Sequence, residues 1–155
     1  MMNIVILYGT ETGNAEMLAE DIQSGLQADH QVEILNLSDF APGDFDRGRL
    51  YLIVSSTYGD GELPASAQPF GQAMKAQTPD LTGVVFGLFG LGDSEYDTFN
   101  LGSKVVQDLM EEAGATMLGE RIVHDASGSD MAEDLALPWA REVVSLAETR
   151  IGVAA

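Results

Sequence analysis

Short apolar runs alternate along this chain with longer segments in which apolar residues recur every three or four positions. Continuous apolar runs bounded by glycine and polar residues are typical of strands that are buried on both faces of a sheet. The pattern predicts five strands, at residues 3–8, 32–37, 50–55, 84–91 and 117–123.

The longer segments predict four amphipathic helices, because their apolar residues fall on one face at helical spacing. The second helix is placed at about 65–76, Gly114 is the predicted stop of the third, and Pro138 lies in the first turn of the last or kinks it. The residues predicted to face inward are Ala15, Leu18, Ala19, Ile22 and Leu26 of the first helix, Phe70, Ala73 and Met74 of the second, Leu101, Val105, Leu109 and Ala113 of the third, Leu135, Trp139, Val143 and Leu146 of the last, and the methionines Met17, Met110 and Met117.

Strands that alternate with helices predict a doubly wound α/β fold, a parallel sheet with helices on both faces. A length of 155 residues fits one domain across residues 1–155. No apolar run is long enough to span a bilayer and no charged segment precedes the first strand, so we expect a cytoplasmic protein that does not enter a membrane. In such sheets ligands bind beyond the carboxyl ends of the strands, where the strand order reverses.

The first strand runs into Gly-Thr-Glu-Thr-Gly-Asn-Ala at residues 9–15, directly before the first helix. A hydroxyl-rich and glycine-rich turn at a helix start can hold a phosphate, because free backbone N–H groups and the helix dipole favour an anion there. The loop lacks the Gly-Lys-Ser/Thr of nucleotide triphosphate loops and the spacing of the dinucleotide fingerprint. Taken alone, an ordinary capped turn accounts for these residues equally well.

Two further loops, which follow the third and fourth strands, are rich in glycine and small polar residues. Each carries one tyrosine, Tyr58 in one and Tyr96 in the other, and neither carries a lysine or arginine. Either tyrosine alone is accounted for as a half-exposed loop residue. Two of them beside a phosphate-binding turn at one sheet edge indicate a flat aromatic ligand held between rings.

Charge and composition exclude several classes of function. Seven basic residues, the first of them Arg47, stand against 25 acidic ones, for a net charge of −18. Such a surface repels nucleic acid and anionic membranes and disfavours self-association, so we expect a monomer. The excess of negative charge either keeps the protein in solution or attracts a basic partner. The chain has no cysteine, His30 and His124 lack metal-ligand spacing, and Ser55 and Ser56 lack a recognisable histidine base, so neither a metal site nor a hydrolase is predicted.

Three motifs in this order resemble those of flavodoxins and of the FMN-binding domains of diflavin reductases. They are Gly-Thr-Glu-Thr-Gly-Asn-Ala-Glu at 9–16, Ser-Thr-Tyr-Gly-Asp-Gly at 56–61 and Gly-Leu-Gly-Asp-Ser-Glu-Tyr-Asp-Thr-Phe-Asn at 90–100. The resemblance covers nearly the whole chain and is closest to small stand-alone MioC-type flavodoxins. It implies FMN as cofactor, the strand order 2-1-3-4-5, and no long insertion splitting the fifth strand.

By this resemblance Tyr58 flanks the inner face of the flavin ring and Tyr96 the outer face. The phosphate is expected to lie among the residues of the first loop, and the ring and ribityl chain among those of the other two. The cofactor-binding residues so implied are Thr10, Glu11, Thr12, Gly13, Asn14, Ala15, Ser56, Thr57, Tyr58, Gly59, Leu91, Gly92, Asp93, Tyr96, Phe99, Asn100 and Asp125.

The implied function is one-electron transfer from a basic-surfaced reductase to an acceptor protein, through transient contacts and a neutral flavin semiquinone. The Gly59 carbonyl is expected to turn toward the protonated flavin N5, since glycine accepts either peptide orientation. The chain is then an electron carrier and not a stand-alone catalyst. Two alternatives stay open, an FMN-dependent reductase of a small molecule such as a quinone, and a regulatory module with weakly bound flavin.

Overall fold

The structure is a computed structural model that describes residues 3–9, 14–46, 48–56, 68–92, 101–119, 121–125 and 132–151. Its strands are β1 (Asn3–Gly9), β2 (Gln31–Asn36), β3 (Leu50–Ser56), β4 (Val85–Gly92), β5 (Thr116–Met117) and β6 (Ile122–Asp125). Its helices are α1 (Asn14–Leu26), α2 (Gln68–Gln77), α3 (Leu101–Glu112) and α4 (Ala132–Ile151), with short 3-10 helices at Leu37–Asp39 and Pro42–Asp44.

All of these strands run parallel in one sheet. The order is β2-β1-β3-β4-β5, and β6 also pairs with β4. The doubly wound α/β fold and the predicted strand order are therefore confirmed. The order reverses between β1 and β3, where the chain has crossed to the other side of β1.

The two faces of the sheet are covered by different helices. Alternate residues of the central strands, such as Ile4 and Ile6, join the buried cluster that α1 and α4 complete. The intervening residues, such as Val5 and Leu7, join the cluster completed by α2 and α3. This alternation explains the continuous apolar runs, because a strand covered on both faces needs apolar residues at every position.

Glycine at position 87 lets α4 approach the centre of β4 closely. A Cβ atom at Gly87 would lie 2.8 Å from Cγ1 of Val143 and 3.2 Å from the ring of Trp139. The same indole ring lies 5.4 Å from the ring of Phe89, centroid to centroid, at an interplanar angle of 60°. Trp139 is therefore a packing residue between α4 and the sheet, as the sequence predicts.

The predicted fifth strand, residues 117–123, is interrupted. Phe86 of β4 pairs with Met117 of β5, and Phe89 pairs with Ile122 of β6. Three steps along β4 thus correspond to five along the outer chain, so the outer strand is interrupted between Met117 and Ile122. Gly119, just after β5, has a φ of +70°, a left-handed conformation that suits glycine.

Two predictions about helix faces are wrong. Leu146 is 42% exposed and Met17 is 65% exposed, so neither side chain belongs to the core. At the end of α4 the fully buried residue is Ala147. Pro138 lies inside α4, six residues after its start at Ala132, so of the two predicted alternatives the first turn is excluded and the kink stays a prediction.

The C-terminal end of α2 holds a strained residue. Thr78 has a φ of +41°, although β-branched residues avoid the left-handed region. We expect Thr78→Gly to raise the free energy of unfolding by about 0.5–1 kcal/mol, the strain relieved less the extra entropy of an unfolded glycine. Urea denaturation measures the change. Gln77→Gly, one residue earlier inside the helix, should lower stability, and a loss of stability in Thr78→Gly would contradict the prediction.

Candidate functional site

Four strands end at the same edge of the sheet. Gly9, the last residue of β1, pairs with Ser55, and Ser56, the last residue of β3, pairs with Leu91. Gly92 at the end of β4 pairs with Asp125 at the end of β6. The segments that follow β1, β3 and β4 therefore leave the sheet side by side, at the edge where ligands bind in such folds.

The helix after β1 begins at this edge. β1 ends at Gly9 and α1 starts at Asn14, so only four residues join them. Ala15 in the first turn is fully buried, which fixes the start of α1 against the sheet. The first N–H groups of α1 have no acceptor within the helix, and an anion at this end is favoured by the helix dipole.

Most of the predicted cofactor-binding residues lie outside the described residues. Their roles, including the proposed turn of the Gly59 carbonyl, stay predictions. The predicted residues outside the described part of the chain are Thr10, Glu11, Thr12, Gly13, Thr57, Tyr58, Gly59, Asp93, Tyr96, Phe99 and Asn100.

The remaining predicted residues lie at the carboxyl edge. Ser56, Gly92 and Asp125 are the last residues of their strands, and Asn14 and Ala15 begin α1. Leu91 is half-buried and packs against the cluster on the side of the sheet that α1 and α4 cover. The structure thus brings together the chain positions from which all the predicted segments start or end.

A hydrogen-bonded group beside the first loop was not among the predicted residues. The backbone N–H of Ser38 donates to Oδ1 of Asn36 at 2.9 Å. Burial, then the nearby Glu16 side chain, raises the pKa of Tyr8 above its ordinary value, so this phenol is neutral at physiological pH.

The sequence does carry a signal for Tyr8 and Asn36, but it can be recognised only once the pairing register of β1 and β2 is known. Tyr8 is the polar-tipped residue at the end of an otherwise apolar run, and Asn36 ends β2. The two residues are directly opposite in the parallel pairing of β1 with β2. That register follows from the packed sheet and not from the local pattern of either strand.

The electrostatics near the start of α1 are acidic. Glu16, Glu20 and Asp39 are exposed, and no basic residue precedes Arg47 in the chain. On α3, whose first turn lies at the same edge, Nζ of Lys104 is 2.8 Å from the carboxylate of Asp108. An anion at the start of α1 would therefore be held by backbone N–H groups and neutral side chains.

In the part of the chain that the structure describes, no three histidine, cysteine or acidic residues come together as a metal would require. Among the same residues, none of the helices combines the length and apolar character needed to cross a bilayer.

The sequence matches the model of a protein family described as Flavodoxin over residues 6–139, which is most of the chain. The sulfite reductase [NADPH] flavoprotein alpha-component of Zymomonas mobilis is 35% identical over 150 residues, 96% of this chain. The chain spans only 24% of that protein's length. Protein MioC of Escherichia coli K12 is 33% identical over 147 residues, covering 94% of this chain and 99% of MioC.

Solved structures show the same similarity. A cysteine-to-serine mutant of flavodoxin from Pseudomonas aeruginosa superimposes with a TM-score of 0.80 at 33% sequence identity. The match covers 93% of this chain and 97% of that structure. Fold and sequence similarity therefore extend together over nearly the same residues.

Proposed function

Because the chain belongs to the flavodoxin family, we propose that it binds FMN and carries electrons between a reductase and an acceptor protein. The observation that carries this proposal is the common edge at which β1, β3 and β4 end. The three motif-bearing segments start there, beside the first turn of α1. One domain across residues 1–155 would hold the whole cofactor site.

The residues at this edge suit FMN better than a larger nucleotide. A terminal phosphate fits the start of α1, whose first backbone N–H groups have no acceptor within the helix. In the proposed complex Thr10, Thr12 and Asn14 add side-chain donors. Ala15 is fully buried in the core, so it fixes the start of α1 against the sheet.

The flavin ring would be held by the segments after β3 and β4. Tyr58 and Tyr96 would cover its two faces, which excludes water and leaves little room for a second substrate. The ring and ribityl chain would also contact residues from the ends of these strands and the start of α3. These are Ser56, Thr57, Gly59, Leu91, Gly92, Asp93, Phe99 and Asn100, with Asp125 from the end of β6.

Bound FMN supplies one-electron and two-electron redox chemistry. In this proposal the Gly59 carbonyl would accept a hydrogen bond at the flavin N5 position. The acidic residues of the loops, Asp60, Glu62, Asp93, Glu95 and Asp97, would oppose the build-up of further negative charge on the ring. The protein would then favour the transfer of one electron at a time.

The proposal extends to partners and location. Reductases and acceptors with basic surfaces would dock transiently on the acidic edge, and like charge would keep the chain monomeric in the cytoplasm. The sulfite reductase flavoprotein relative is about four times as long, so its NADPH-dependent activity is not carried over. The chain on its own would carry electrons without acting as a catalyst.

The test combines flavin binding with electron passage. Purified protein is titrated with FMN, reduced stepwise without oxygen, and mixed with cytochrome c, a basic haem protein, or with a benzoquinone. The carrier proposal expects one FMN per chain and rapid single-electron reduction of cytochrome c. Saturable turnover of the quinone with slow cytochrome reduction would overturn it in favour of a reductase, and failure to retain FMN would overturn the cofactor assignment.

A further inference from the structure

The helices α1 and α4 leave a groove between them on the face of the sheet that they cover together. Its lining residues are Asp21 and Ile22 of α1 with Ala136 and Leu137 of α4, and its volume is about 390 Å³. We propose that this groove binds an arginine-containing apolar segment of a partner protein. The proposal goes beyond the carriage of electrons and does not depend on a bound flavin.

A glycine lets the two helices meet at one point, and the groove opens beside that point. A Cβ atom at Gly25 would lie 2.5 Å from Cδ1 of Leu137, so the missing side chain lets this leucine lie against α1. Asp21 is one turn earlier on the same face of α1. The α4 side is bordered there by Ala136, whose methyl group is too small to fill the space between the helices.

The groove combines an apolar floor with a charged rim. Ile22 and Ala136 are almost completely buried and form the floor, whereas Asp21 is exposed. The Asp21 carboxylate makes no ion pair or hydrogen bond with any other residue that the structure describes. A side chain with an apolar stem and a positively charged head would satisfy both features at once.

The surface around the groove favours the same kind of partner. Met17 is 65% exposed and lies one turn before Asp21 on the same face of α1, and methionine is enriched at protein interfaces. Among the described side chains within one turn of the groove, the other acids are Glu20 and Asp134, and the base is Arg141. The surface therefore attracts a basic segment and offers it apolar contacts.

Arginine fits this groove better than lysine. Its guanidinium is weakly hydrated and flat, so it can lie against an apolar surface and still form two parallel hydrogen bonds with one carboxylate. The groove is also separate from the proposed flavin edge, because Asp21 lies seven residues, or about 10 Å, along α1 from Asn14. A partner could therefore occupy the groove while the edge stays accessible.

The first test uses the peptide acetyl-Leu-Arg-Leu-amide as the probe, added to the full chain at low salt. Binding is followed by two-dimensional NMR of the backbone amide groups. We expect saturable shifts at the amides of Asp21, Ile22 and Leu137. The matched peptide with citrulline, an uncharged isostere of arginine, should bind about fivefold more weakly, and so should acetyl-Gly-Arg-Gly-amide, which lacks the apolar side chains.

A pair of variants separates the carboxylate from general charge. Asp21→Asn removes the charge at the rim, and Glu112→Gln removes one exposed charge from α3, on the other face of the sheet. Both variants change the net charge equally. We expect Asp21→Asn to weaken binding of the arginine peptide about threefold and Glu112→Gln to leave it within about 1.5-fold.

A second pair tests the apolar side of the groove. Leu137→Ala shortens a lining residue, and Leu146→Ala shortens a leucine of the same helix that is 42% exposed outside the groove. We expect Leu137→Ala to weaken binding of the arginine peptide about threefold, with no change in Leu146→Ala.

Several outcomes would overturn the groove as a docking site. Shifts centred on other residues would do so, as would equal binding of the arginine and citrulline peptides. Equal effects of Asp21→Asn and Glu112→Gln would show that the peptide responds to net charge alone. Shifts at the groove that follow the protein concentration instead of the peptide would mean that a second copy of the chain occupies it.

Discussion

Replacing Phe89 by alanine is expected to lower the free energy of unfolding by about 3–5 kcal/mol. Phe89 is fully buried at the centre of β4 and pairs with Val54 on one side and Ile122 on the other. Its ring also makes an edge contact with Trp139 of α4. The substitution would remove the packing surface that joins the middle of the sheet to this helix.

The loss of stability is expected to be large because the surrounding side chains cannot easily move to fill the cavity. Nε1 of Trp139 is buried and has no hydrogen-bond partner among the described residues, so the indole is held by packing alone. A cavity beside it forfeits contacts that no polar interaction replaces. A domain of this size is stable by about 5–15 kcal/mol, so the variant would lose a substantial fraction of its stability.

Urea denaturation followed by circular dichroism measures the effect. Phe89→Leu, which keeps most of the volume, should cost less than about 1.5 kcal/mol. Met17→Ala also shortens a large apolar side chain, but Met17 is 65% exposed and the change should stay within about 0.5 kcal/mol. A loss below about 1 kcal/mol in Phe89→Ala would show that the core around α4 is more adaptable than its packing indicates.

The fold follows from local patterns wherever those patterns are strong. The α1 residues Ala15, Leu18 and Ile22 recur at helical spacing, and all three are buried. The central strands are apolar throughout because helices cover both faces of the sheet. Element type and strand order were therefore predictable from periodicity and resemblance together.

The errors arise where tertiary packing decides between equivalent local choices. Leu146 and Ala147 are three and four residues after Val143, so both fit the inward face of α4. The structure buries the smaller one, on a helix that already approaches the sheet closely at Gly87. Hydrophobicity alone favours the larger residue and so predicts the wrong face.

The pattern of apolar residues also failed to predict where two of the strands end or are interrupted. Leu37 was predicted to end the second strand, but it begins a 3-10 helix that is capped by the Asn36 side chain. The interruption near Gly119 falls in a run that was predicted as one strand, because Met117 and Leu118 before it and Ile122 and Val123 after it are apolar. Backbone geometry at single residues decides both features, and periodicity does not report it.

The candidate site also has features that the sequence predicts and features that it does not. Motifs in the three segments could be found in the sequence, and the register of β1, β3 and β4 confirms that those segments start at one edge. The pairing of Tyr8 with Asn36 could not, because these two residues are distant in the chain and each is ordinary on its own. It depends on which strands are neighbours and in which register.

Electron passage to a basic protein is expected to slow by at least about tenfold as the salt concentration rises from ~10 mM to ~0.5 M. The chain carries 25 acidic residues against seven basic ones, and the proposed flavin loops contain acids without lysine or arginine. Attraction to a basic partner speeds encounter at low salt, and added ions screen it. Stopped-flow mixing of the reduced protein with cytochrome c measures the rate.

Two double variants decide whether the position of the charge matters. Glu62→Gln with Glu95→Gln removes two charges from the proposed flavin loops, and Glu111→Gln with Glu112→Gln removes two from the end of α3. The chain re-enters the sheet after α3 beside Val85, the first residue of β4, so the second pair lies at the opposite edge. We expect the loop pair to slow cytochrome c reduction at low salt about fivefold and the α3 pair by less than about twofold. Equal effects would mean that net charge alone attracts the partner, and that it does not dock at the edge where β1, β3 and β4 end.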